Sequence, residues 1–119
     1  DAKASVCNPK AGELIIEIKV GLEPEGVAIS PDGKHVIVTS ESTNMLHVIE
    51  VPSHKIVANI LVGARPRAAT FSNDGKLAYS TSEISGEVKK VDMENFKVLA
   101  VGQLPDPKAK PKDVLLSAD

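Results

Sequence analysis

Apolar residues in this chain come in short runs, and no segment longer than ten residues carries a sustained apolar stripe at the helical period. The runs "GVAIS" (26–30), "HVIVTS" (35–40), "LHVIEV" (46–51) and "KIVANILV" (55–62) are rich in β-branched residues. Turn chemistry separates them in "GLEP", "SPDGK", "ESTN" and "PSHK". Several runs are apolar at consecutive positions, as expected of strands in sheets stacked between other sheets. The Asp-Gly pairs at 32–33 and 74–75 supply the positive φ of a tight hairpin turn. The pattern predicts an antiparallel all-β meander.

The meander repeats. Pro24, Pro66 and Pro111 each stand between like charges, in "EPE", "RPR" and "KPK", with spacings 66 − 24 = 42 and 111 − 66 = 45. "PEGVAISPDG", "PRAATFSNDG" and "PKDVLLSAD" follow them, and "VCNPKAGELIIEIKVG" (6–21) aligns without a gap on "VIEVPSHKIVANILVG" (48–63). "KVDMENFKVLA" (90–100) keeps that register, and a three-residue insertion follows in "VGQLPDPKAK". A self-match at about 40–45 residues is the period of a four-stranded propeller blade. Each unit has strand A after the charged proline, B after Asp-Gly, C after "ESTN" or "ISG", and D ending in Val-Gly. The expected organisation is one β-propeller domain: 1–21 a partial blade (C and D), 22–63 and 64–104 full blades, and 105–119 the first strand of a further blade. Propellers close with roughly 4 to 8 blades. The chain is therefore read as part of a larger propeller, or as one whose open ends another chain completes.

At 119 residues and 42% apolar, the chain holds at most one domain with a modest core. A net charge of −2, two arginines and 3% aromatic residues argue against a nucleic-acid partner. No apolar run approaches the 18 or more residues that span a bilayer. No signal peptide is visible, and a start at Asp1 is compatible with one having been removed. The single cysteine, Cys7, excludes an internal disulfide, a redox pair and a covalent haem motif. It occupies the strand C slot of Ile49 and Val91 and is expected to be a small buried residue.

With the blades aligned, "VGLEPEGVAISPDGKHVIVTSESTNMLHVIE" followed by "ILVGARPRAATFSNDGKLAYSTSEISGEVKKVD" resembles the YVTN-type β-propeller repeats of extracytoplasmic proteins. The likeness is greater to the propeller proteins associated with pyrroloquinoline-quinone-dependent alcohol catabolism. It covers about residues 14–92, carried by "TSESTNM" with His47, "RPRAA" and "SEISG" rather than by the common "SPDGK". Lys90 departs from it, standing where an apolar strand C residue such as Val48 is usual. The resemblance implies a periplasmic or extracellular, non-catalytic binding scaffold, accessory to quinoprotein alcohol oxidation or to a periplasmic electron-transfer assembly. More distant likeness to propellers of haem-bearing nitrite reductases and of lactonases implies the alternatives of a cofactor-bearing oxidoreductase or a lactonase-like enzyme. A structural subunit of a larger complex is a third.

By analogy with propellers, strand A lines the channel, and the D–A and B–C loops share one face. That places Glu23, Glu25, Glu41, Asn44, Arg65, Arg67, Glu83, Lys110 and Lys112 around one rim. Proline fixes φ at the start of strand A and biases its predecessor toward extended geometry, leaving the flanking positions free to carry charge. Arginine suits bidentate contact with carboxylate or phosphate. Two roles follow for Arg67: binding a partner or small anionic ligand, or pairing between blades with Glu25 or Glu41. His35, His47 and His54 lack metal-ligand spacing. His47, near the rim, is the one weak candidate for a cofactor ligand, and a structural role is the simpler reading. No nucleophile elbow, phosphate loop or EF-hand is present. No catalytic residue, metal or cofactor is expected, and the expected partner is a protein or the remaining blades.

Overall fold

The computed structural model describes residues 3–8, 13–106 and 108–117. They form ten strands and no helix: β1 (Lys3–Asn8), β2 (Glu13–Lys19), β3 (Pro24–Ile29), β4 (His35–Ser40), β5 (Met45–Glu50), β6 (Lys55–Leu61), β7 (Pro66–Phe71), β8 (Leu77–Ser82), β9 (Glu87–Asp92) and β10 (Lys97–Gln103). Three antiparallel meanders result: the pair β1-β2, the sheet β3-β4-β5-β6 and the sheet β7-β8-β9-β10. Each strand from β5 to β10 lies 42 residues after its counterpart from β1 to β6.

The irregularities repeat with the strands. A bulge follows the proline in both β3 and β7, and another interrupts each C–D pairing. Gly33 and Gly75 adopt φ of 71° and 72°, as their Asp-Gly pairs predict. Each turn is braced in the same way. Asp32 Oδ1 accepts from the Ser30 hydroxyl at 2.7 Å and from Lys34 N at 2.9 Å, and Asp74 takes the same bonds from Ser72 and Lys76. Those bonds hold both carboxyls below the ordinary aspartate range, the serine hydroxyl contributing most. A Cβ on Gly33 would meet nothing within 4 Å. Gly33→Ala should therefore cost roughly 1 kcal/mol through backbone strain alone, read as a lower denaturant midpoint with an unchanged slope.

The sheets stack face to face. Ile37, Leu46, Val48, Ile60 and Val62 of the β3–β6 sheet bury against Phe71, Ala78, Val91 and Met93 of the β7–β10 sheet. A smaller core joins Ile18 of β2 to Val38 and Ile49, with Ala4, Val6, Val20 and Val36 packed around it. Strands β3 and β7 run side by side, closely enough that a Cβ on Gly26 would lie 2.6 Å from the Arg67 carbonyl oxygen.

Three expectations need correction. Cys7 is exposed, whereas Ile49 and Val91 in the same slot are 2% and 0% exposed. Each of those two lies under a neighbouring sheet, and no described strand covers Cys7. Glu23 and Arg65, the residues before Pro24 and Pro66, are not extended but left-handed, with φ of 54° and 60°. Their carbonyls accept from Glu41 N and Glu83 N, at 3.0 and 2.9 Å, and these tertiary bonds override the local preference. Residues 112–117 form no strand, because no described strand lies beside them to supply a ladder. Lys90, in Val48's slot, is only partly buried and lines a groove on the outer face with Tyr79, Val88 and Val101.

Candidate functional site

The site is built where the D–A loops meet the B–C turns. Backbone bonds Glu41 N to Glu23 O, Glu83 N to Arg65 O, Val62 N to Asn44 O and Ile84 N to Ala64 O gather these segments at one end of the sheets. The A–B and C–D turns lie at the other end, joined by Val51 N to Lys34 O and Met93 N to Lys76 O.

Glu41 and Glu83 directly follow β4 and β8 in equivalent positions, each the last residue of a Thr-Ser-Glu triplet. Both carboxylates are nearly buried, at 7% and 8% exposure, at the seam between the two four-stranded sheets. A buried carboxylate needs compensating charge, and the seam provides it. Arg65 Nε lies 2.5 Å from Glu41 Oε1 and 3.4 Å from Glu83 Oε2. Arg67 Nη1 lies 3.1 Å from Glu41 Oε2 and 3.3 Å from Glu83 Oε2, and its Nη2 is 3.8 Å from Glu25. Asn44 Oδ1 accepts from Arg65 N at 3.1 Å, fixing the left-handed turn before Pro66. Glu41 and Glu25 belong to one sheet and both arginines to the next, so this network clamps the sheets together. The charge flanking the proline reverses between repeats because the second proline faces the carboxylate of the first blade.

Glu23 stands apart from the arginine network. Its carboxylate accepts from the Ser42 hydroxyl, and it borders an open hollow of about 450 Å³ with Glu41, Ser42, Asn44, Ala64, Arg65 and Ile84. Lys110 and Lys112 are exposed, and no ion pair joins them to the network among the described residues. The chain does approach this end: Leu104 N donates to Gly86 O, and the Ala109 carbonyl lies 3.5 Å from where a Cβ of Gly86 would stand.

The network sets opposite protonation tendencies on two neighbours. Burial pushes the Glu41 carboxyl up, but the hydrogen bond from Glu25 and the two guanidiniums outweigh it, and Glu41 sits below the ordinary glutamate range. Glu25 is raised, chiefly by its hydrogen bond to Glu41, against the pull of Arg67. The stabilisation from Glu41 is present at neutral pH and lost as pH falls through its lowered value. That from Glu25 runs the other way, present in acid and lost as pH rises through its raised value. Glu25→Gln keeps a neutral donor beside Glu41. It should raise Tm at pH 7, with the gain shrinking toward the ordinary carboxyl range near pH 4; a lower Tm at pH 7 would mean that the Arg67 attraction dominates.

His47 is buried with both ring nitrogens engaged. Gly21 N donates to Nε2 at 3.0 Å, and Nδ1 lies 2.6 Å from Asn59 Oδ1, which makes Nδ1 the protonated nitrogen. In this arrangement neither nitrogen is available to a cofactor, and the residue fastens the β2–β3 loop to β5. His35 lies in β4, in edge contact with Phe96, and His54 in the β5–β6 turn. Sequence reasoning overlooked Glu87. It is buried, bonded by Gln103 Nε2 at 2.9 Å, and packed under Gly63. The available signal was an acid in the strand C slot that Met45 fills one repeat earlier.

No protein-family model and no curated protein matches the sequence. Solved structures do match in shape. Kuenenia stuttgartiensis hydrazine synthase aligns over 93% of this chain with a TM-score of 0.88 and 20% identity. Dihydro-heme d1 dehydrogenase NirN, in complex with DHE, aligns over 91% with a TM-score of 0.77 and 19% identity. The match is to propeller domains. This chain has the β-propeller fold. It spans 32% of the first of those chains and 23% of the second. The three meanders are thus successive blades, with β3 and β7 as innermost strands and the charged network on one rim. At such identities the likeness extends to the fold alone.

Proposed function

We propose that the chain belongs to a non-catalytic propeller scaffold that binds a protein partner outside the cytoplasm, accessory to quinoprotein alcohol oxidation or to a periplasmic electron-transfer assembly. One observation carries this reading: Glu25, Glu41, Glu83, Arg65 and Arg67 are engaged with one another across the blade seam. Glu41 and Glu83 face the two arginines, and a carboxylate held that way is neither a free base nor a nucleophile. An anionic ligand is not favoured either, since Arg65 and Arg67 already face carboxylates. What the rim leaves open is the hollow beside Glu23, bordered by Ile84, which is 67% exposed. An exposed isoleucine beside an acid suits a protein loop that presents an apolar anchor and a basic residue.

Titration with a quinoprotein alcohol dehydrogenase and with a c-type cytochrome, at two salt concentrations, tests the reading. Salt-sensitive binding to one of them should be lost in Ile84→Asp. Arg67→Lys should leave that binding intact and lower stability by about 1 kcal/mol, since lysine keeps the charge but cannot bridge two carboxylates. A stoichiometric Soret band on adding haem, or turnover of a lactone, would instead establish the cofactor-bearing or lactonase-like alternative.

A further inference from the structure

The hollow between the two four-stranded blades carries opposite charges that do not meet. Glu23 and Arg65 both border it, in equivalent places of successive repeats, and no ion pair joins them among the described residues. Each is only partly engaged. Glu23 takes one hydrogen bond, from the Ser42 hydroxyl to Oε2, and its Oε1 takes none among the described residues. Arg65 bonds Glu41 through Nε, and neither of its terminal nitrogens makes a hydrogen bond among those residues. The two groups still feel each other. Arg65 is held above the ordinary guanidinium value, chiefly by its bond to Glu41, and the charge of Glu23 adds to that.

Asn44 brings a third group to the hollow. Its Oδ1 accepts from Arg65 N at 3.1 Å, so Nδ2 is the free donor, unbonded among the described residues. Left-handed backbone does not require the amide, because Gly86 holds φ of 62° in the same place one repeat later. Ile84 and Ala64 form the apolar wall. Ile84 is exposed at a turn where Ser42 stands one repeat earlier.

We propose that the hollow takes the C-terminal residue of the protein partner, a lysine or arginine. This rests on the reading of the rim as a protein-binding site and names the group it recognises. The terminal carboxylate receives the Arg65 terminal nitrogens and Asn44 Nδ2, since a planar guanidinium fork suits a carboxylate. The side-chain cation takes Glu23. Its methylene stem lies over Ile84 and Ala64, as long basic side chains lie along apolar surface. An anion by itself would meet Glu23 and Glu41, and a cation by itself would meet Arg65. One residue that carries both charges satisfies both sides. The hollow, about 450 Å³, opens on the rim and leaves a path for the preceding chain. A free amino acid would bring a second cation, and Glu23 is the one lining carboxylate outside the arginine network.

Fluorescence anisotropy with short, N-terminally labelled peptides tests this. Three probes are compared: one ending in lysine with a free carboxylate, its C-terminal amide, and a free acid ending in norleucine. The lysine acid should bind at least about tenfold more tightly than either of the others, the effect of one charge-assisted contact. Asn44→Asp still accepts from Arg65 N but sets an anion where Nδ2 stood. It should erase or invert the preference for acid over amide and keep that for lysine over norleucine. Glu23→Gln, which still accepts from Ser42, should do the reverse. A merely structural role for these residues would weaken both preferences together and overturn the proposal. Equal binding of acid and amide would overturn it, as would no binding of any peptide. Free lysine competing as well as the lysine peptide would assign the hollow to an amino acid and overturn it too. If acid and amide bind alike while Ile84-dependent binding of the dehydrogenase or cytochrome persists, this proposal falls and the scaffold reading stands. If the lysine acid is selected and neither protein binds, the proposal stands and the named partners fall.

Discussion

Glu41→Ala should destabilise the protein by about 3 kcal/mol, the cost of stripping a buried ion pair of one partner. Arg65 and Arg67, side by side on one sheet, would then keep only Glu83 and the half-exposed Glu25 as ion-pair partners among the described residues. For a chain of this size that is a fall in Tm of roughly 10 °C. Glu23→Ala, which removes a carboxylate of the same rim outside the arginine network, should shift Tm by no more than an exposed pair does, under about 1 kcal/mol. Thermal melts of both variants at pH 7 and moderate salt make the comparison. Equal, small losses would mean that the seam charges contribute nothing to holding the blades together.

Gly26→Ala should cost about 2 to 3 kcal/mol, in the range of overpacked interiors. Its Cβ would sit 2.6 Å from the Arg67 carbonyl oxygen and 3.2 Å from the Ala68 Cα, both backbone atoms that no rotamer change can move aside. Separating β3 from β7 to make room would also lengthen the arginine contacts of Glu41, so the two effects reinforce each other. Ala68 holds the same slot one repeat later, where no following strand A packs against it among the described residues. Ala68→Gly should therefore lose only the roughly 0.5–1 kcal/mol of a glycine in a strand. Chemical denaturation of the two single variants measures both, and a Gly26→Ala protein as stable as the parent would show that the innermost strands are not in close contact.

The strand order and the 42-residue period were legible in the sequence because they rest on local signals that recur: the charged proline, Asp-Gly and the Val-Gly after strand D. The glycine turns followed from chemistry within five residues. What stayed hidden depends on tertiary partners. The left-handed backbone at Glu23 and Arg65 is imposed by amides of Glu41 and Glu83, eighteen residues further along the chain in each case. The sequence reading placed Glu23, Glu25, Glu41, Asn44, Arg65, Arg67, Glu83, Lys110 and Lys112 around one rim, but whether the arginines faced a ligand or the adjoining blade depended on the depth of Glu41 and Glu83, which no composition reveals. His47 and Glu87 acquire their roles from partners distant in sequence, Gly21 and Gln103, and Cys7 is exposed with no described strand over it.

The central claim is that the reversed charges beside Pro66 exist to bind one blade to the next. A double-mutant cycle between Glu41→Gln and Arg67→Met, read by equilibrium denaturation at pH 7, tests it most directly. The two side chains contact each other across the seam at 3.1 Å. The cycle should return a coupling of about 1 to 3 kcal/mol, as contacting residues of one network do. Additivity within about 0.5 kcal/mol, the behaviour of independent sites, would contradict the claim.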